Sequence, residues 1–138
     1  MTGAGEAITV GQTLPALTVS MTAQRIISGA VATRDWQPIH HDQALAQQSG
    51  LRGIILNAPS QAGWISKYIT DWAGPSVRIQ RLSFRMKDSI CPGDTMQLSG
   101  EITACDVQPD GQRRMTASVH ISVDDKLRTV AEVRFLLP

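Results

Sequence analysis

The sequence predicts an α+β fold in which an antiparallel sheet wraps around one long helix. Three observations predict it. Residues 57–74 have the cap, the apolar spacing and the stop signals of a long helix. The half of the chain after them alternates apolar and polar residues in several runs separated by turn residues. The half before them holds one short strand-like piece and short helical segments, so helix and sheet are segregated along the chain.

Each element is taken in order. The first ten or so residues are small and polar and are read as loosely held. LTVS is a short strand-like piece. Thr22 then reads as a helix N-cap ahead of Ile26, Ile27, Ala30 and Val31 at helical spacing. Asp42 reads as the N-cap of a short helix, QALAQQSG, with Gly50 as its stop. Ile54 to Leu56 form an apolar approach to the long helix. Asn57 caps that helix, and Pro59 sits in its first turn, where a missing N–H costs nothing. Ala58, Ala62, Ile65, Ile69 and Trp72 recur on one face, and Gly74 and Pro75 end the helix. Ala62 and Gly63 are small, which predicts a close approach of this helix to the sheet.

Four strands are predicted next. Leu82, Phe84 and Met86 alternate with Arg81, Ser83, Arg85 and Lys87, and CPGD turns the chain. Met96, Leu98, Ile102 and Ala104 mark the next strand, and QPDGQ is a hairpin turn with Asp110-Gly111 at its centre. Ala117, Val119, Ile121 and Val123 alternate with polar residues, DDK turns again, and Leu127, Ala131, Val133 and Phe135 finish the sheet. A meandering sheet around one long helix is the hotdog shape. Such a sheet leaves an open edge and an uncovered face, which predicts pairing as a dimer or hetero-oligomer.

The 138 residues suit one domain, covering 1–138 without a linker. Apolar residues at 42% and charged residues at 18% exclude a disordered chain. A net charge of +1 with no basic run argues against nucleic acid. No stretch approaches the roughly 20 apolar residues that span a bilayer, so no membrane partner is expected. MTGAGEAITVG lacks a basic segment followed by an apolar run, so no signal peptide is expected. Cys91 and Cys105 match no metal spacing and read as free thiols of a reducing, cytoplasmic compartment.

The chemistry concentrates in RDWQPIHHD, residues 34–42, which holds two of the chain's three histidines between two carboxylates. Pro38 keeps the backbone out of a regular helix, so Asp35 and His40 can face one small cavity. A carboxylate and an imidazole there can hold and polarise one water, because imidazole exchanges protons near neutral pH. The plain alternative is a polar turn in which Asp35 caps a backbone amide and His40 lies on the surface. His41 is read as a surface residue, Asp42 as a cap and His120 as structural. Asn57-Ala58-Pro59 opens the long helix, and a helix N-terminus offers free N–H groups to a developing oxyanion. Pro59 has no N–H, which leaves the Ala58 amide as the best-placed donor; an ordinary capped helix start is the alternative. Lys67, Arg81, Arg85, Lys87, Arg113 and Arg114 are candidate phosphate contacts, and only Arg81, Arg85 and Lys87 cluster, on one strand face. Trp64, Tyr68 and Trp72 read as core or interface.

RDWQPIHHDQALA resembles the hydratase motif of MaoC-like dehydratase domains, the (R)-specific enoyl-CoA hydratase group. That motif reads Asp-x-Asn-Pro-(Leu/Ile/Val)-His-x-Asp. Asp35, Pro38, Ile39, His40 and Asp42 match it, and Gln37 stands where the family has Asn. The resemblance runs through nearly the whole chain, with the motif its specific part. It implies a hotdog fold and syn hydration of a trans-2-enoyl-CoA, with Asp35 and His40 activating the water. The family's oxyanion donor, the amide of a Gly preceded by His, corresponds to Ala58 preceded by Asn57. Gln37, Asn57 and Pro59 are then expected beside the substrate. No metal or redox cofactor is implied, because water addition to an activated enoyl thioester needs only acid, base and an oxyanion donor; coenzyme A is part of the substrate. ATRDWQPIHHD with ISKYITDWAGP is similar to the small subunits of heteromeric hydratases of bacterial steroid side-chain breakdown. That likeness implies a bulky acyl-CoA and either a homodimer or a heteromer with a second hotdog subunit. The alternatives are a non-catalytic partner subunit or acyl-CoA-binding module, and a hotdog thioesterase using Asp71 of the long helix.

Overall fold

Five strands form one antiparallel sheet in the order β1-β3-β4-β5-β2 in the computed structural model, which describes residues 7–138. The expectation of a loose start falls mostly on residues 1–6, outside the described ones. The strands are β1 (Thr13–Ser20), β2 (Arg78–Met86), β3 (Thr95–Val107), β4 (Arg113–Val123) and β5 (Lys126–Leu137). The helices are α1 (Ala23–Ala32), α2 (Gln43–Gln48) and α3 (Ala58–Ala73), with a single 3-10 turn at Pro38–His40.

Turn chemistry sets the β3-β4-β5 meander. Gly111 takes a φ of +85°, and its N–H donates to the Gln108 carbonyl. Asp124 and Asp125 both have positive φ, 50° and 60°, as a two-residue hairpin of matching twist requires. Ala117, Val119, Ile121 and Val123 are buried as their alternation predicts. The expected four-strand meander holds for only three strands. β2 pairs with β5, Leu82 opposite Val133 and Phe84 opposite Ala131, at the far edge from β1. Alternation shows which face of a strand is apolar but not which strand lies beside it. Residues 87–94 therefore cross from one side of the sheet to the other. Arg52 holds this crossing through Asp94, and the Leu56 and Met21 amides donate to Ile90 and Asp94 carbonyls.

α3 supplies the core's second layer. Ile65, Tyr68, Ile69 and Trp72 are buried against the sheet, and Trp72 meets Phe135 edge to face with ring centroids 6.4 Å apart. The buried face is turned slightly from the expected one. Gln61 is buried, whereas Ala58 and Ala62 are only half-buried. Gly63 is exposed with open space beside it, so it is not the point of close approach. That point is on the sheet: a Cβ at Gly100 would lie 3.2 Å from Tyr68 Cε1. Thr22, Asp42 and Asn57 each accept from the backbone N–H three residues on, at Arg25, Leu45 and Ser60. On α1, Ile26 and Ala30 are buried, while Val31 faces out. Among the described residues no helix is long and apolar enough to cross a membrane.

Candidate active site

Asp35 and His40 reach one point from two pieces of backbone. α1 ends at Thr33, and Arg34 then takes a left-handed φ of 54°, rare for a residue with a side chain. That turn brings Asp35 back against α1, its N–H donating to the Ala30 carbonyl at 2.9 Å. Pro38 begins the 3-10 turn, and the Gln37 and Pro38 carbonyls accept from the amides of His40 to Asp42. His40 is thereby pointed inward and buried, while His41 stays exposed.

The pair's geometry is specific. His40 Nε2 lies 3.3 Å from Asp35 Oδ2. Its Nδ1 lies 2.8 Å from the Ile55 carbonyl oxygen. A carbonyl only accepts, so Nδ1 carries the hydrogen and Nε2 of the neutral ring keeps its lone pair. Nε2 and Oδ2 are then two acceptors converging on one place, where a single donor such as water can give a hydrogen to each. Once His40 is protonated, the same two atoms form an ion pair.

Asn57 links the pair to the helix. Its Nδ2 donates to Asp35 Oδ2 at 3.0 Å and to Thr33 Oγ1 at 2.9 Å, while its Oδ1 accepts from Ser60 N at 3.1 Å. Thr33 donates in turn to the Gly29 carbonyl at 2.7 Å. The hydrogen bond from Asn57 is the main cause holding the Asp35 carboxyl below the usual carboxylate range. In the first turn of α3, the Ser60 and Gln61 amides are engaged by Asn57 and Pro59 has no N–H. The Ala58 N–H has no acceptor among the described residues, and it is one residue from Asn57. A groove of about 690 Å³ runs from this helix start between α1 and α3, lined by Gly29, Ala32, Pro59, Ser60, Gly63 and Trp64.

The sequence-predicted residues are not all placed as expected. Asp35 and His40 come together, and the Ala58 amide is one residue from the Asn57 that bonds Asp35. Pro59 is exposed on the groove. The Gln37 side chain is exposed, and it is the Gln37 backbone that touches the pair, its N–H 3.4 Å from Asp35 Oδ1. Asn57 is expected beside the substrate but is 2% exposed, with its side-chain amide fully engaged by Asp35, Thr33 and Ser60. Asp71 is exposed, paired with Lys67 and near the opposite end of α3, away from the pair. Two contributors carry no local sequence signal: the Ile55 carbonyl and Thr33. Gln61, four residues before Ile65 on the buried face of α3, is not among the expected face residues. It is buried, accepting from Thr129 Oγ1 at 2.5 Å. Among the described residues no group of three or more His, Cys, Asp or Glu side chains converges, so no donor set is assigned to a metal. Both cysteines are free.

A five-stranded antiparallel sheet, with a long helix whose N-terminus meets an Asp–His pair, defines a hotdog-fold domain of hydratase type. The chain belongs to the MaoC like domain family, whose model matches residues 6–125. It is 36% identical over 125 residues to the 3-oxo-4,17-pregnadiene-20-carboxyl-CoA hydratase beta subunit of Mycobacterium tuberculosis, covering 84% of this chain and 97% of that one. It superposes with a TM-score of 0.87 on a chain of the ChsH1-ChsH2 complex from Mycobacterium tuberculosis, at 33% identity, covering 96% of this chain and all of that one. The (R)-hydratase from A. caviae involved in PHA biosynthesis shares the fold, with a TM-score of 0.85 at 22% identity over 97% of this chain and 100% of that one.

Proposed function

We propose that this chain is the Asp–His-bearing subunit of an enoyl-CoA hydratase, a hydro-lyase that adds water across a trans-2-enoyl-CoA to give a 3-hydroxyacyl-CoA. The observation that carries this reading is the 3.3 Å approach of His40 Nε2 and Asp35 Oδ2, with the tautomer set by Ile55, beside the unengaged Ala58 amide. Water sits beside the two acceptors with one hydrogen toward each. His40 Nε2 removes one hydrogen as the water oxygen bonds to the β carbon. The π electrons move toward the thioester oxygen, where the Ala58 N–H meets the developing charge. The dyad returns the proton to the α carbon on the same face, so water's atoms are all accounted for. Asp35, held as a carboxylate by Asn57, orients the water through its other hydrogen and stabilises the His40 cation that forms. Nothing in this sequence of steps calls for a metal or redox group.

The relative's substrate name supports an acyl group of steroid side-chain origin, and the groove beside Pro59 and Ser60 supports a bulky one. The relative is a beta subunit and the superposed chain comes from a two-component complex, which supports assembly with a second hotdog subunit. The test is loss of conjugated enoyl-thioester absorbance on adding the purified chain, alone and with a candidate partner. No loss with any enoyl-CoA under either condition would end the hydratase reading.

A further inference from the structure

Thr33 ties α1 to α3 beside the Asp–His pair. It is the C-cap of α1, and its backbone N–H donates to the Gly29 carbonyl at 3.1 Å. Its hydroxyl points to the same carbonyl at 2.7 Å, with the Ala30 carbonyl at 3.3 Å. The Ala30 carbonyl also accepts from Asp35 N. Thr33 and Asp35 therefore hang from adjacent carbonyls of one helix turn. Asn57, at the start of α3, donates to both side chains, at 2.9 Å and 3.0 Å.

Counting hydrogens fixes the direction of each bond. A hydroxyl has one hydrogen, and the carbonyls beside Thr33 Oγ1 only accept. Thr33 is left as an acceptor toward Asn57, so Asn57 must present its NH₂ there. One N–H then goes to Thr33, the other to Asp35 Oδ2, and the amide oxygen takes Ser60 N. An amide turned over would set its oxygen against the Asp35 carboxylate and against a hydroxyl with no hydrogen to give. Each carboxylate oxygen has two acceptor positions. On Asp35 Oδ2, Asn57 fills one, and the other serves the side where His40 Nε2 lies 3.3 Å away.

We propose that Thr33 is a positioning residue for hydration: its hydroxyl fixes which end of the Asn57 amide faces Asp35, and so keeps one acceptor position of Oδ2 open to the reacting water. The proposal rests on the hydratase reading above and adds to it a residue outside the pair. Without the hydroxyl, one Asn57 N–H is left buried with no acceptor, which favours turning or tilting the amide. The groups facing Asp35 are His40 from the 3-10 turn, Asn57 from α3 and the Gln37 amide. A loosened Asn57 lets the carboxyl rise toward its ordinary range, because that hydrogen bond is the main cause holding it low. Thr33 also lines the groove, but its one hydrogen is committed to α1, so it has none to give a substrate.

Thr33→Val keeps the shape and the methyl and removes the hydroxyl, whereas Thr33→Ser keeps the hydroxyl and removes the methyl. In the assembled enzyme Thr33→Val should lower kcat about ten-fold with KM little changed, and Thr33→Ser should stay within about three-fold of the unmodified chain. Followed by carbon NMR, the Asp35 carboxyl should titrate at higher pH in Thr33→Val than in the unmodified chain or in Thr33→Ser. A Thr33→Val enzyme within about two-fold of the unmodified kcat overturns the proposal. So does a Thr33→Ser enzyme as slow as Thr33→Val, or an Asp35 titration that does not move. A hydroxyl that only caps α1 would change the melting temperature and none of these. Should Thr33→Val fail to fold, Thr33→Ala is compared with Thr33→Ser by the same measures. Should the unmodified enzyme hydrate no enoyl-CoA, the hydratase reading falls, and the Asp35 titration still decides whether Thr33 sets the carboxyl through Asn57.

Discussion

Replacing Asn57 by alanine should damage catalysis far more than it damages the fold. The substitution removes the cap on Ser60 N and both donations from Nδ2, to Asp35 Oδ2 and to Thr33 Oγ1. Loss of an N-cap costs about 1 kcal/mol, or about 3–5 °C of melting temperature in a chain of this size. Asp35 is then held only by its long contact with the Gln37 amide and by His40. A displacement of about 1 Å in a reacting group costs roughly a hundred-fold in rate. The fall should appear in kcat with KM little changed, because the buried amide does not reach the substrate. Asn57→Asp keeps an oxygen for Ser60 N but turns an acceptor toward Asp35, so it should lose comparable activity despite the retained cap. A depressed carboxyl such as Asp35 contributes stability above its unfolded pKa and loses it as pH falls through the folded one. Part of the stability gap between the unmodified chain and Asn57→Ala should therefore close below about pH 4. Thermal melts and enoyl-thioester absorbance are the assays. An Asn57→Ala protein that melts early yet keeps its kcat within about two-fold would show that Asn57 only caps a helix.

Tyr68 is the chain's one tyrosine, buried with its hydroxyl donating to the Pro15 carbonyl at 2.8 Å, and burial pushes it up to about 12. Phenolate absorbance should titrate there, and a midpoint near the ordinary value would show the ring open to water. Gly29→Ala puts a methyl against Ser60, whose hydroxyl is buried without a partner, and should cost about 1–3 kcal/mol. Adding Ser60→Ala should recover most of that, and equal destabilisation of single and double variants in chemical denaturation would place the strain elsewhere. Gln61→Leu strands the buried Thr129 hydroxyl and should cost about 1–3 kcal/mol, whereas Gln61→Leu with Thr129→Val should approach the stability of the unmodified chain. A double variant no better than the single one would deny the pair its part in the core.

What was legible in the sequence follows how local each interaction is. The three helix caps lie three residues from the amides they bind, and all three are visible as residue types at a spacing. The strands show through alternation, and the site through the motif around Pro38. Contacts that depend on the assembled fold left no such trace. The Ile55 carbonyl sets the His40 tautomer across 15 residues, and any residue type there would supply it. β2 lies beside β5 because the 87–94 segment crosses the domain, and the pattern of β2 itself would suit either neighbour. Asn57 reads as a cap and is one; that its other end holds Asp35 appears only when α1 and α3 are brought together. Gln61 leaves no trace because a polar residue on an apolar face lowers the apparent periodicity, although Thr129 satisfies it.

The measurement closest to the central claim is single-turnover hydration of an enoyl-CoA by the assembled enzyme carrying Asp35→Asn or His40→Ala. Each variant should melt cooperatively and bind the thioester while losing about 10²–10⁴-fold in the rate of absorbance loss. A folded variant of either residue that hydrates at the unmodified rate would remove that residue from the chemistry and contradict the account of the pair.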